Sequence, residues 1–298
     1  MKTKIILDTD IGNDMDDSFC LAYLLANPDC ELLGVTTVCG EPVQRAMMVS
    51  AVCKQAGKDV PIYPGIAEPL LGKQWQPNPP QFREIGRWEH DKTFPENAAI
   101  EFMRKTIREN PGEVTLLAIG PLTNIAVLFS IDGEIPGMLK ELVLMCGRFG
   151  NGIANMPIAE WNALCDPHAT AIVYKSGAKI RSIGLDVTMQ LVMSKDEVHK
   201  KFTANILKPV MDFSKVWGDT IVFHDPLASA VIFDDKLCGF KKGNVEVELK
   251  SDRLMGCTYF DEDENGNNLV AMSVDRDKFF GHYLDVVNKL NQGKEMKK

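Results

Sequence analysis

The chain has 298 residues, of which 45% are hydrophobic and 25% are charged. That length and apolar fraction allow one large α/β domain or two small ones. The formal net charge is −8 and no basic cluster precedes the terminal residues 294–298, which argues against nucleic-acid binding as a main role.

The N-terminal residues and the cysteines predict where the protein is located in the cell. The first residues lead directly into a predicted strand, which leaves no room for a signal peptide, and no apolar run approaches membrane-spanning length. The eight cysteines contain no C-x-x-C pair. We expect them to be reduced core residues of a cytoplasmic protein that has no membrane partner.

An acidic run follows the first predicted strand. The ten residues from Asp8 to Asp17 include five aspartates. They join an apolar strand at 4–7 to a helix at 18–25, so they form a loop at a carboxyl end of the sheet. Helix capping accounts for one or two of these carboxylates but not for five. The others need compensation, because like charges this close oppose one another's ionisation. A hard cation such as calcium or magnesium is the simplest remedy, with further oxygen ligands from elsewhere in the chain.

Strand and helix patterns then alternate through the first two thirds of the chain. Strands are predicted at 31–38, 60–63, 114–119, 141–146 and 179–183. Helices are predicted at 43–55, 98–108, 122–129 and 167–175. This alternation predicts an α/β fold with an open, mainly parallel sheet flanked by helices.

Two long stretches interrupt the alternation. Residues 66–95 are rich in proline, glycine and aromatic side chains, and residues 147–158 follow a strand without clear periodicity. Long irregular loops inside a compact domain are usually functional, so we interpret both as walls of a pocket. A packed surface excursion is the alternative for the first.

The last third begins with helices and ends with strands. Helices are predicted at 195–203, 206–217 and 223–232, strands at 245–249, 257–260 and 269–273, and a final helix at 278–290. The acidic residues 261–266 match half of an EF-hand loop, but Met272 stands where a bidentate glutamate is required, so a polar hairpin turn is the interpretation. Because no Pro/Gly/Ser-rich linker divides the chain, we expect one domain over 1–298, with a strand hairpin and a helix from about 244.

Three further polar clusters lie at predicted turns. The turn after the strand at 114–119 offers main-chain carbonyls, including that of Ile119, at the same sheet edge as the acidic run. Glu160 and Asn162 flank Trp161 and could hold vicinal hydroxyls, whereas Asp166 reads as a helix cap before proline. His224 beside Asp225 is either an acid or base arrangement or a solvated histidine next to a helix cap. Spacing alone does not choose between these functions and ordinary structure.

Four blocks of sequence, taken in order, resemble the inosine-uridine preferring nucleoside hydrolase family. They are Asp8-Thr9-Asp10-Ile11-Gly12 through Asp16-Asp17, then residues 118–124, 159–162 and 223–226. The resemblance implies an open α/β fold that binds a calcium ion and a small-molecule ribonucleoside. The implied reaction is hydrolysis of the N-ribosidic bond to free base and ribose, by a homo-oligomer.

The resemblance also implies a role for each matching residue. Calcium would be held by Asp10, Asp17, the main-chain carbonyl of Ile119 and Asp225. The ribose hydroxyls would be bound by Asp16, Glu160, Asn162 and Asp225. Asp10 would act as general base toward water, and His224 would protonate or polarise the departing base. Carboxylates around the sugar suit this chemistry, because the transition state carries oxocarbenium character.

Some positions depart from the family pattern. Two extra residues precede the Asp16-Asp17 pair, so Asp14 competes with Asp16 for the ribose, and Glu41 stands where many members have asparagine. Residues 86–91 replace a histidine- and glycine-rich segment, and Asn155 lies near another sugar contact of the family. A modified riboside is therefore an alternative substrate.

Two alternatives belong to other classes of protein. Asp8-Thr9-Asp10 after an apolar strand is similar to the start of a haloacid-dehalogenase-type phosphatase, although Gly12 stands where that motif has threonine or valine. A protein that binds a riboside without cleaving it is the second alternative.

Overall fold

The computed structural model describes residues 1–150 and 156–295. Within these ranges the strands are β1 (Thr3–Thr9), β2 (Cys30–Thr37), β3 (Ile62–Pro64), β4 (Val114–Ala118), β5 (Glu141–Met145), β6 (Ile180–Ile183), β7 (Val192–Ser194), β8 (Thr220–Val222), β9 (Cys238–Val247), β10 (Thr258–Glu262) and β11 (Asn268–Val274). The α-helices are α1 (Asp16–Ala26), α2 (Pro42–Ala56), α3 (Ala99–Glu109), α4 (Thr123–Ile131), α5 (Ile135–Met138), α6 (Trp161–Cys165), α7 (Pro167–Tyr174), α8 (Leu185–Thr188), α9 (Lys195–Lys201), α10 (Lys208–Phe213), α11 (His224–Ala230) and α12 (Arg276–Glu295). Short 3-10 helices occupy Pro80–Arg87, Asn205–Leu207, Ser214–Val216 and Asp235–Leu237.

One sheet organises the described part of the chain. Its nine strands lie in the order β10-β9-β11-β6-β5-β4-β1-β2-β3, and β7 pairs with β8 separately. Neighbours from β11 to β3 are parallel, whereas β9 runs antiparallel to both β10 and β11. The predicted open, mainly parallel α/β fold is confirmed.

Both faces of the sheet are covered. Along β1, Ile5 and Leu7 pack in a core cluster with α1, α2, α11 and α12, whereas Ile6 packs in a second cluster with α3, α4 and α7. Successive side chains of a strand point to opposite faces, so the two clusters lie on the two sides of the sheet. This burial explains why the central strands read as continuous apolar runs.

The central strands also place the polar loops together. β5, β4 and β1 are neighbours, and Asp8 near the end of β1 is paired in register with Ala118 at the end of β4. The loops after these strands therefore leave the sheet at the same edge. Gly120 allows close approach there, since a Cβ on it would lie 2.9 Å from Asp10 Oδ1.

A cluster of buried aromatic side chains positions the start of α11 at the same edge of the sheet. Phe223, just before α11, packs on Phe19 of α1 at 5.1 Å between ring centroids and on Phe202 at 5.3 Å. Tyr283 of α12 joins this group and donates a hydrogen bond of 2.8 Å to the carbonyl of Phe19. The packing holds the start of α11 against the acidic loop.

Several sequence predictions were wrong in detail. The helix predicted at 206–217 is two 3-10 turns with α10 between them, because Pro209, the second residue of α10, lacks the N–H that would continue a helix from the preceding turn. β9 begins at Cys238 rather than at 245. Residues 261–266 do not close a hairpin, because they form the end of β10 and most of its connection to β11, and these two strands lie on opposite sides of β9.

The cysteines and helices add two observations. All eight cysteines lie in the described part of the chain, where they are free and buried. Among the described helices, none combines the length and apolarity that crossing a membrane would require.

Candidate active site

A cavity of about 780 Å³ opens at the carboxyl ends of the central strands. Nine of the residues predicted from the sequence line it: Asp10, Asp14, Asp16, Asp17, Ile119, Glu160, Asn162, His224 and Asp225. The tenth, Asn155, lies outside the described residues. The structure therefore gathers side chains that are up to 215 positions apart, counted from Asp10 to Asp225.

The backbone of the acidic loop is held by Arg45 of α2, a fully buried side chain. Its guanidinium donates to the main-chain carbonyl of Asp10, to that of Ile11 at 3.0 Å and to that of Cys39 at 2.7 Å. Carbonyls rather than carboxylates satisfy this cation. Its positive charge lowers the pKa values of Asp10 and Asp17, against the larger effect of burial.

Hydrogen bonds tie the acidic side chains to their neighbours. Thr9 donates its hydroxyl to Asp17, and the N–H of Asp225 donates to Asp16 at 3.3 Å. The second contact joins the acidic loop to the first turn of α11. Asp16 and Asp17 also begin α1, where the helix dipole favours negative charge, although neither is its N-cap.

Burial dominates the electrostatics of this edge. It raises the pKa of Asp10, Asp14, Asp17 and Asp225, and it raises the pKa of Asp16 to about 6. Neighbouring negative charge adds to the effect, since Asp10 and Asp14 raise the pKa of Asp17. Among the described residues, these carboxylates are poorly compensated by positive charge.

A metal ion fits this donor set. Asp14, Asp16 and Asp17 each offer an oxygen within 4.8 Å of the others. Clustered, desolvated carboxylates are the oxygen ligands that hard divalent cations prefer, and such a cation would relieve their repulsion. This trio differs from the predicted ligand set of Asp10, Asp17, Ile119 and Asp225, with which it shares only Asp17.

Asn162 joins the ends of two strands. Its Nδ2 donates to the carbonyl of Ile119 at 2.9 Å and to that of Met145 at 3.0 Å, at the ends of β4 and β5. Both N–H groups of the amide are thereby used. Oδ1 is the atom of Asn162 that is left to accept a hydrogen bond from a ligand.

Glu160 both caps a helix and lines the cavity. It is the N-cap of α6, and its carboxylate accepts N–H bonds from Asn162 at 2.7 Å, Ala163 at 3.0 Å and Gly147 at 3.0 Å. This capping cannot be predicted from the sequence, because a five-residue helix is too short to show periodicity. Burial nevertheless raises the pKa of Glu160 above its usual range.

His224 is the first residue of α11 and is half-buried at the cavity wall. Its Nδ1 lies 2.7 Å from the hydroxyl of Thr188. Burial lowers the pKa of His224, and the negative charge of Asp14 opposes that effect. His224 and Asp14 line the same cavity.

Sequence reasoning missed Gln76, which connects opposite walls. Its Nε2 donates to Asp10 Oδ2, while its Oε1 accepts from Asn13 and, at 2.9 Å, from the indole N–H of Trp161. With two donors on Oε1, the amide cannot be flipped, so its NH₂ must face Asp10. The only sequence signal for this residue was its place in the irregular segment 66–95.

Three tryptophans complete the walls. Trp75, Trp161 and Trp217 line the cavity and are 46%, 47% and 39% exposed. Exposed indoles at one cavity can stack against a planar ring. The lining includes residues 75–78 and Pro80 of the first irregular segment and Pro157 of the second, which supports the prediction that both segments form walls.

Two of the departures from the family pattern do not line the cavity. Glu41 is exposed at the start of α2, and residues 86–91 lie away from the cavity, with Trp88 lining a separate one. Asp8 is fully buried, and its Oδ1 accepts from Asn124 at 2.7 Å and from Thr36. A phosphatase would need this carboxylate as an accessible nucleophile, which its burial prevents.

The comparison with protein families decides the assignment. The model of the family described as inosine-uridine preferring nucleoside hydrolase matches residues 5–281. The chain belongs to this family. A nucleoside hydrolase is an N-glycosidase, and its substrate is a small-molecule ribonucleoside. The phosphatase alternative is therefore wrong.

Known relatives of this nucleoside hydrolase differ in the base they are named for. Uridine nucleosidase 1 of Arabidopsis thaliana is 34% identical over 271 residues, which cover 83% of this chain and 79% of that protein. Pyrimidine-specific ribonucleoside hydrolase RihB of Escherichia coli is 29% identical, over 94% of this chain and 95% of that one. Among solved structures, a purine-preferring ribonucleoside hydrolase from Gardnerella vaginalis has a TM-score of 0.85 and 25% identity, covering 97% of this chain and 99% of that chain.

Proposed function

We propose that this nucleoside hydrolase is calcium-dependent and cleaves the N-ribosidic bond of ribonucleosides to free base and ribose. The observation that carries the proposal is the set of desolvated carboxylates that converge in one cavity with tryptophans at its walls. Carboxylates favour a cation and a sugar whose transition state is positively charged, and indoles favour a planar base. The cytoplasmic location and the homo-oligomeric state stay predictions.

The proposed calcium ligands are Asp10, Asp17, Asp225 and the carbonyl of Ile119. Asp17 has the strongest support, because it belongs both to this set and to the trio with Asp14 and Asp16. When bound, the ion would lower the pKa of water and orient the ribose hydroxyls. Calcium rather than magnesium is favoured because a buried, irregular set of carboxylate and carbonyl oxygens suits its flexible coordination.

The ribose would be gripped by the side chains that remain. Asn162 presents Oδ1 to a hydroxyl because its NH₂ is used by the two strand ends. Asp16, Glu160 and Asp225 supply further acceptors in the cavity. Asp14 is half-buried beside Asp16, and we propose that it also faces the sugar. This grip supplies orientation and stabilises the oxocarbenium character of the transition state.

The bond-breaking step then needs a base and an acid. Asp10 would accept a proton from the attacking water, with its Oδ2 held by the amide of Gln76. His224 would donate a proton or a hydrogen bond to the departing nucleobase. The nucleobase itself would lie against the indoles of Trp75, Trp161 and Trp217, which accept purine or pyrimidine rings.

Release of ribose tests the proposal. Purified protein is incubated with a panel of purine, pyrimidine and modified ribonucleosides, with calcium, with a chelator, and with calcium restored after chelation. We expect chelator-sensitive release that calcium restores. Asp10→Asn should lower it by roughly 10³-fold, the usual size of a general-base contribution. The matched control is Asp261→Asn, an exposed aspartate in β10, which should keep full activity. Full activity in the chelator would overturn the calcium assignment.

A further inference from the structure

Thr188 and His224 meet behind the cavity wall. Thr188 is the last residue of α8 and is fully buried, and its hydroxyl lies 2.7 Å from Nδ1 of His224 and 3.4 Å from the carbonyl of Leu185. A hydroxyl can donate one hydrogen bond and accept others. It can therefore remain bonded to Nδ1 whether or not that nitrogen carries a proton.

The backbone around this contact is fixed from several sides. The N–H of Leu185 donates to the carbonyl of Gly147 at 2.8 Å, which ties α8 to the end of β5. The N–H of Phe223 donates to the carbonyl of Leu191 at 3.0 Å, which ties the residue before His224 to the segment after α8. The two side chains therefore meet across a braced backbone, and the contact does not depend on a free loop.

The contact decides which nitrogen of His224 is available. With Nδ1 engaged by Thr188, Nε2 is the ring nitrogen left to meet a ligand in the cavity. Without the hydroxyl, Nδ1 would be unpaired in a buried place and the ring could turn about its χ2 angle. A donor that is misplaced by about 1 Å can cost a large part of its catalytic effect.

We propose that Thr188 is the positioning residue for His224, and that it sets how well the enzyme cleaves ribosides whose leaving group must be protonated. This inference rests on the proposed function. The inference goes beyond that function because it assigns the activation of the departing base to two residues, Thr188 and His224. This part of the reaction can then be tested separately from the binding of ribose and the attack of water.

Two kinds of leaving group distinguish the activation of the departing base from the rest of the reaction. In hydrolysis, an oxygen–C1′ bond forms as the C1′–N bond breaks, and the bonding electron pair goes to the nucleobase nitrogen. The base then takes a proton, from His224 in this proposal. A nitrophenolate is a stable anion and needs no proton to leave, so 4-nitrophenyl β-ribofuranoside requires the ribose grip and the water but not the donor.

Variants at position 188 test the proposal. Thr188→Val and Thr188→Ala remove the hydroxyl, whereas Thr188→Ser keeps it. We expect Val and Ala to lower kcat for uridine and inosine by roughly tenfold or more, a part of the usual effect of a general acid. Turnover of the nitrophenyl riboside should stay within about twofold of the wild-type rate in the same preparations. Ser should restore nucleoside hydrolysis.

Thr115→Val is the matched control for the loss of a buried hydroxyl. Thr115 lies in β4, is fully buried, and its hydroxyl has no hydrogen-bond partner among the described residues. We expect this variant to cleave both kinds of substrate normally. Nitrophenyl riboside turnover also reports folding, so a selective loss in the Thr188 variants does not arise from misfolding.

A double-mutant cycle completes the test. In a His224→Phe background, Thr188→Val should cause no further loss on nucleosides, because its effect acts through the imidazole. Equal losses on nucleosides and on the nitrophenyl riboside would overturn the proposal, and so would a Ser variant as impaired as Val. If the wild-type protein released ribose from none of these substrates, the proposed function would fail instead.

Discussion

Asp17 and Asp132 are both nearly buried carboxylates, 3% and 8% exposed, but their surroundings differ. Arg108 donates to both oxygens of Asp132 at 2.7 Å, and Arg104 lies within 3.5 Å. Those hydrogen bonds hold the pKa of Asp132 down at about 2. Asp17 instead has the hydroxyl of Thr9 and the negative charges of Asp10 and Asp14, and burial raises its pKa.

The contrast separates two uses of a buried charge. Asp132 has its counter-ions within the chain and connects α3 with the segment before α5, so its charge serves stability. Among the described residues, Arg45 compensates the charges of Asp10 and Asp17 in part, so the folded chain holds these carboxylates at a cost. Charges kept at a cost in a cavity are characteristic of functional sites.

The largest expected effect follows from removing that partial compensation. Arg45→Met should lower the free energy of unfolding by about 3 kcal/mol, because it leaves main-chain carbonyls unsatisfied and removes the positive charge that lowers the pKa values of Asp10 and Asp17. Urea denaturation of the metal-free protein measures it. Arg45→Lys should recover only part of the loss, since the compact ammonium cannot reproduce the spread of donors on the planar guanidinium. A Met variant as stable as the wild type would show that Arg45 is not holding the loop.

A smaller effect, of the same sign, is expected on the other side of the comparison. The folded-state pKa of Asp132 lies at about 2, below its ordinary value of 3.8, so its ion pair stabilises the protein at neutral pH. Asp132→Asn should therefore unfold more easily at pH 7. The difference from wild type should shrink as pH falls below about 4 and vanish near the folded-state pKa.

Denaturation of both proteins at several pH values checks this prediction. Asp261→Asn, on the surface of β10, is the control for loss of one negative charge. A difference that is independent of pH would mean that the ionised form of Asp132 is not what stabilises the fold.

The smallest expected effect has the opposite sign. Asp14→Asn removes a charge that raises the pKa of Asp17, so the metal-free protein should gain about 1 kcal/mol of stability while ribose release falls. Thermal unfolding in chelator measures the gain. Calcium should reverse the order by stabilising the wild type more than the variant. Loss of stability in chelator would contradict the view that these carboxylates repel one another.

Much of this site could be predicted because parallel strands bring their carboxyl ends to one edge. That rule placed the acidic run and Ile119 at one edge of the sheet, and the family resemblance then added the polar pairs at Glu160 and His224 to the same site. The mainly parallel sheet followed from the same alternation of strands and helices. The roles of the individual site residues as metal ligands or catalysts stay predictions, because their spacing in the sequence and their positions in the cavity do not decide between these roles.

What the sequence did not reveal depends on tertiary packing. Arg45 lies on a helix whose periodicity gives no sign that its charge is buried under a loop. Gln76 lies in a segment without periodicity, and its importance arises from partners at positions 10, 13 and 161. Glu41 stands where many family members have asparagine, but it is exposed and does not line the cavity, because exposure is set by how α2 packs.

Calcium binding to the metal-free protein tests the central claim most directly. Isothermal titration calorimetry should find one calcium site per chain in the wild type, and should find it lost or greatly weakened in Asp17→Asn but unchanged in Asp132→Asn. This result would show that the uncompensated carboxylates hold the cation and the compensated one does not. Calcium binding that is equal in all three proteins, or absent from the wild type, would contradict the account.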